Sequence, residues 1–104
     1  MSQFDVHRNL GRTRAAIPFV VLIQSERYES TRYRVSVPLV PRGELATIDS
    51  TLNPTFTIEG MAVVMDPLQI VTIPVKSLGP KVDNLDQSHL TIIRAIDALI
   101  AQGR

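Results

Sequence analysis

Apolar and polar positions alternate along most of the chain up to residue 79, and the period changes after residue 86. Gln3 to His7 places Phe4 and Val6 between polar neighbours, the pattern of a strand with one buried face. Pro18 to Gln24, PFVVLIQ, is a continuous run rich in β-branched residues, which predicts a strand covered on both faces. Tyr33 to Val40 alternates at Tyr33, Val35 and Val37 before Pro38 removes a ladder donor. Thr55 to Asp66 reads as a tight hairpin with Gly60 in its turn, and Gln69 to Ser77, with Pro74 inside it, reads as the last strand. The two proline-bearing strands are expected at edges or bulges.

From Asp86 onward Leu90, Ile93, Ile96 and Ile100 recur three and four residues apart, with Ala95 and Leu99 widening the stripe. This predicts an amphipathic helix with Asp86 as N-cap and Gly103 as its C-terminal stop. The expected fold class is mainly β: one domain over residues 1–104, built as a small, partly open antiparallel β-barrel with an inserted hairpin wing and one C-terminal α-helix.

Charge sharpens this picture through its distribution. Eleven Lys and Arg nearly cancel ten Asp and Glu, so the total argues neither for a nucleic-acid binder nor for a membrane-surface protein. Yet residues 1–42 hold seven arginines (Arg8, Arg12, Arg14, Arg27, Arg32, Arg34 and Arg42) against Asp5, Glu26 and Glu29. Three of them, Arg8, Arg12 and Arg14, are placed by the pattern in a loop between the first two strands, where guanidinium groups could grip the carboxylates of an acidic partner or hold an RNA backbone. Cysteine is absent, the longest apolar run is Ile17 to Ile23, and the N-terminus has no apolar leader segment, so a soluble cytoplasmic protein is expected.

Catalytic signatures are scarce. There is no Gly-rich phosphate loop, no H-x-x-x-H and no G-x-S-x-G, and neither a metal site nor a cofactor is expected. His7 and His89 are far apart in sequence and read as structural or solvated, while Asp49, Glu59 and Asp66 read as turn or surface acids.

Six stretches, SQF, LIQSE (Leu22 to Glu26), VPLV (Val37 to Val40), NPTFTI (Asn53 to Ile58), IPVKSLG (Ile73 to Gly79) and AIDALI (Ala95 to Ile100), resemble the CcdB family in order and spacing. The resemblance implies a homodimeric toxin of a plasmid or chromosomal toxin–antitoxin pair. Such toxins bind the A subunits of DNA gyrase, a topoisomerase, trap it on cleaved DNA without chemistry of their own, and are removed by the disordered arm of a CcdA antitoxin. By the same resemblance the target-binding residues are Arg27 and Tyr28, just after the QS motif, with Asp97, Ala101, Gln102, Gly103 and Arg104 at the helix tip. Arg8, Arg12 and Arg14 are the candidate antitoxin contacts.

At the tip the best-known plasmid member reads Trp-Gly-Ile. Counted without a gap, those positions fall here on Ala101, Gln102 and Gly103, with Arg104 as an extra residue. Matching the glycines instead puts Gln102 and Arg104 in place of the tryptophan and isoleucine, but a one-residue gap would rotate every later side chain by about 100°. Either way the aromatic anchor is missing, and truncating such an anchor typically costs about 2 kcal/mol or more. An alternative by fold analogy is an endoribonuclease of the MazF and Kid kind, with Arg8, Arg14 or His7 recruited for catalysis. A third reading is an inactive relative that still binds its antitoxin.

Overall fold

A computed structural model describes residues 1–101. Its elements are β1 (Asp5–Asn9), β2 (Phe19–Leu22), β3 (Tyr33–Pro41), β4 (Thr55–Ile58), β5 (Met61–Met65), β6 (Val71–Pro74), β7 (Leu78–Asn84) and the helix α1 (His89–Ile100). The strands form one antiparallel sheet in the order β4-β5-β3-β2-β1-β7, curled into a half-barrel. β6 lies beside β5 on the long strand β3, which pairs β6 through Tyr33–Ser36 and β5 through Leu39–Pro41. The mainly β architecture with a hairpin and a C-terminal helix is therefore as the pattern predicts.

β2 is buried along its whole length. Phe19 and Val21 join Phe4, Val6, Val37, Leu39, Ile58, Val63, Met65, Ile92 and Ala95 in the main core under α1. Val20 and Leu22 face the other way and pack with Leu78, Ile17 and Ile73. The β4–β5 hairpin closes on Glu59 (φ 49°) and Gly60 (φ 79°), two successive left-handed residues that give the twist a two-residue hairpin needs.

Three expectations are corrected. Pro38 is in a central strand, at the seam where β3 changes partner from β6 to β5. Its carbonyl accepts from Asp66 at 3.0 Å on that side, and no ladder donor is needed there. The chain from Gln69 to Ser77 is not one strand: β6 ends at Pro74, a single 3₁₀ turn covers Val75–Ser77, and an unexpected strand, β7, pairs with β1. β7 shows no alternation because only Leu78 is buried and its register against β1 shifts twice. Gly79 permits the approach, since a Cβ there would lie 2.9 Å from Arg8 Cβ and 3.0 Å from the Arg8 carbonyl oxygen.

The helix also differs. It begins at His89 after a 3₁₀ turn at Asp86–Ser88, and Asp86 gives no side-chain cap; its own N–H donates to Asn84 Oδ1 at 2.8 Å. Ala101 is extended and ends it, and Gly103 lies outside the described residues. The buried stripe is Ile92 and Ala95, flanked by half-buried Ile96 and Leu99. Leu90, Ile93 and Ile100, three members of the expected stripe, are 58%, 43% and 73% exposed. α1 thus carries two apolar faces, and the barrel covers one.

The N-terminal edge is held by polar contacts. Phe4, left-handed at φ 69°, donates its N–H to the Leu22 carbonyl at 2.6 Å and accepts from Leu85 N–H at 2.9 Å, tying β2 to the turn before α1. Beside it the buried Asp5 carboxylate accepts from Asn84 Nδ2 and Ser2 N–H, both at 2.8 Å, and pairs with Lys81 at 3.2 Å. Burial raises the Asp5 pKa, but the hydrogen bonds from Asn84 and Ser2 together with Lys81 outweigh it and hold the carboxyl below its ordinary 3.8. A depressed folded-state pKa gives stability that is present above the ordinary carboxylate pKa and is lost as pH falls through the folded value. Asp5→Asn is therefore expected to lower stability at neutral pH and to flatten the acid limb below about pH 4, read by urea unfolding at stepped pH. An unchanged acid limb would remove Asp5 from this role.

Candidate functional site

The proposed contacts fall in three places. The first is the segment between β2 and β3. Ser25 Oγ accepts from Arg27 N–H at 3.3 Å and starts a 3₁₀ turn over Glu26–Tyr28, which leaves Arg27 and Tyr28 exposed. Gln24 Nε2 donates to the Tyr28 carbonyl at 2.7 Å, and Gln24 Oε1 accepts from Val35 N–H at 3.0 Å, so one amide joins this turn to β3. Arg34, read from the sequence as one more arginine of a basic cluster, is buried: its guanidinium donates to the carbonyls of Glu29 and Thr31, each at 2.6 Å, and of Tyr33 at 2.8 Å. It is the internal brace that shapes the loop presenting Arg27 and Tyr28.

The second place is the end of α1. Asp97 and Ala101 are both exposed, and the Ala101 N–H bonds to the Asp97 carbonyl at 2.9 Å, closing the helix. Gln102, Gly103 and Arg104 lie outside the described residues. Among the described residues no hydrogen bond or ion pair links Arg27 or Tyr28 to Asp97 or Ala101.

The third place is the arginine-rich stretch, where the expected trio divides. Arg8 is on β1, ion-paired with Glu59 of the hairpin turn, and its guanidinium carbon stands 5.7 Å from the Phe19 ring centroid. Arg12 and Arg14 are exposed in the loop that follows β1. Asn9 organises that loop: Nδ2 donates to Thr13 Oγ1 at 3.0 Å and to the Ile17 carbonyl at 2.9 Å, and Oδ1 accepts from Gly11 N–H at 2.8 Å. An Asn followed by a Gly-containing loop is the one sequence signal that could have found this anchor.

Neither histidine joins an arginine. His7 is 5% exposed, its Nδ1 bonds the Gly79 carbonyl at 2.9 Å, and among the described residues its Nε2 has no partner. His7 and Arg8 are neighbours on a strand and point to opposite faces. His89 is exposed, turns Nδ1 to the Asp86 carbonyl at 2.8 Å, and lies near the Phe4 ring. The acids hold turns: Asp49 Oδ1 accepts from the N–H groups of Thr51 and Leu52, both at 2.9 Å, which hold its pKa below 3.8. Asn53 of the NPTFTI motif locks the same turn onto β5 through the Met65 carbonyl.

Removing the Arg34 brace strips donors from three backbone carbonyls. Hydrogen bonds from charged donors contribute about 1.5–3 kcal/mol each and overlap when removed together, so Arg34→Ala is expected to cost roughly 2–4 kcal/mol. Arg27→Ala, on the surface of the same loop, should stay within about 0.5 kcal/mol. Equal urea midpoints for the two variants would show that Arg34 braces nothing.

The half-barrel displays a braced loop, a basic loop and a helix end. No individual curated protein matches the sequence. The family model described as CcdB protein matches residues 3–102, nearly the whole length, and the chain belongs to the CcdB family, toxins of toxin–antitoxin pairs.

Proposed function

We propose that this chain is a homodimeric toxin that acts by protein binding. The observation that carries the reading is the uncovered apolar face of α1: Leu90, Ile93 and Ile100 remain exposed although the helix already buries Ile92 and Ala95 against the barrel. A helix with a second apolar face is built for a partner, and a twofold contact between two copies is the commonest way to cover one. Two helix ends would then stand near the twofold axis, each with its Arg27–Tyr28 turn, as a surface for the A subunit of DNA gyrase or a related dimeric target. Neutralisation falls to a CcdA-like antitoxin whose disordered acidic arm meets Arg12 and Arg14, with Arg8 contributing less because Glu59 competes for it.

The absence of chemistry by the toxin is part of the proposal. An RNA-cutting site on β1 would need His7 and an arginine to converge on one phosphate, whereas His7 is buried and Arg8 leaves from the opposite face. Trapping of gyrase should also be weak. Ala101 occupies the position of the family's aromatic anchor, and a guanidinium such as Arg104 fits only a target that offers it an acid.

A gyrase cleavage-complex assay tests this with the unmodified chain and with a variant rebuilt to end in Trp-Gly-Ile after Ile100. Weak trapping by the first and strong trapping by the second is expected. Strong trapping by the unmodified chain would overturn the argument from the tip, and no trapping by either would move the target away from gyrase. Cleavage of RNA by the purified protein would replace the reading with a ribonuclease.

A further inference from the structure

A cleft of about 520 Å³ opens where β3 begins and β6 ends, lined by Arg32, Tyr33, Pro74, Val75 and Lys76. We propose that it docks an acidic segment of a protein partner, with an aromatic side chain against Tyr33, Pro74 and Val75 and flanking carboxylates on Arg32 and Lys76. The inference rests on reading the chain as one half of a protein–protein pair, and it assigns a surface separate from the helix tip and from the Arg12–Arg14 loop.

Both walls are fixed before anything binds. Tyr33 pairs with Pro74 across the β3–β6 ladder, and Val75 N–H donates to the Arg32 carbonyl at 2.9 Å. The Arg34 brace holds the loop that enters β3 through the Glu29, Thr31 and Tyr33 carbonyls. A preformed cleft avoids the ordering cost that weakens binding to mobile surfaces, and its volume is within the roughly 300–1,000 Å³ of ordinary ligand sites.

Charge selects the occupant. Arg32 and Lys76 are exposed, and the ion pairs among the described residues, Arg8–Glu59 and Lys81–Asp5, involve neither. No lining residue is acidic. Besides the two cations the lining holds an aromatic ring that is 53% exposed and two apolar residues, so the cleft combines positive charge with apolar surface. A nucleotide fits less well. It would find a ring to stack on, but the lining holds no amide or aliphatic hydroxyl side chain to read a base edge. A carboxylate-flanked aromatic asks only for what is present.

The test is fluorescence anisotropy of a fluorescein-labelled peptide, Gly-Asp-Phe-Glu-Asp-Gly, titrated with the full chain and with Arg32→Ser/Lys76→Ser, Tyr33→Ala and Arg42→Ser variants. Salt-sensitive binding to the unmodified chain is expected, weakened about tenfold or more in the Arg32/Lys76 variant, weakened in Tyr33→Ala, and unchanged in Arg42→Ser. The substituted residues are exposed, and matching thermal melts confirm that the variants are folded. Equal binding by the Arg32/Lys76 variant overturns the proposal. So does displacement of the peptide by a tighter-binding adenosine monophosphate, or a monomeric Arg32/Lys76 variant where the unmodified chain is dimeric, which would give the cleft to a second copy. Peptide binding with this variant pattern in a chain that never traps gyrase supports the cleft and removes only the gyrase target, whereas trapping by a rebuilt tip without peptide binding removes only the cleft.

Discussion

Four consecutive side chains, Phe19 to Leu22, are buried on alternate faces of the sheet, and the rest of the molecule is arranged to cover both sides of that one strand. Fully burying a side chain of this size contributes roughly 1.5–3 kcal/mol, so exposure of either face would cost a large share of a small domain's stability. On one side the cover is the hairpin, β3 and the inner face of α1. On the other it is Ile17 from the arginine-rich loop, Ile73 from β6 and Leu78 at the start of β7. The elements that carry the proposed contacts are the same ones that seal β2, which is why they are held in place while their charged residues face outward.

This division explains the surface. Covering β2 uses one stripe of α1 and leaves the second, with Leu90, Ile93 and Ile100, exposed. Ile17 anchors the end of the loop that displays Arg12 and Arg14, and Asn9 anchors its beginning. The buried guanidinium of Arg34, bound to backbone carbonyls, shapes the segment bearing Arg27 and Tyr28 and one wall of the Arg32–Lys76 cleft.

Several strands were legible in the sequence, β2 from its continuous run, the β4–β5 hairpin from Gly60, and β1 and β3 from alternation, but the alternation did not give the buried face: Asp5, His7, Arg34 and Ser36 are buried while Tyr33 is exposed. β7 was not, because it is joined to β1 by backbone pairing around Gly79 and carries one buried side chain. The helix was legible in existence but not in orientation. Ile92 and Ala95, with Ile96 and Leu99, satisfy the same three- and four-residue spacing as Leu90, Ile93, Ile96 and Ile100, and only the packing decides which stripe goes inward. Family resemblance names Arg27, Tyr28, Asp97 and Ala101 as contacts, and all four are exposed. Composition could not distinguish a bracing arginine, Arg34, from a paired one, Arg8, or from the exposed Arg12, since the difference is made by carbonyls and carboxylates brought in from other parts of the chain.

Sedimentation equilibrium at micromolar concentration tests most directly whether the outer face of α1 is covered by a second copy. The account predicts twice the 11.5 kDa chain mass for the unmodified protein and the single-chain mass for Ile93→Glu with its circular dichroism retained. A monomer mass for the unmodified protein, or an undisturbed dimer in Ile93→Glu, would contradict it.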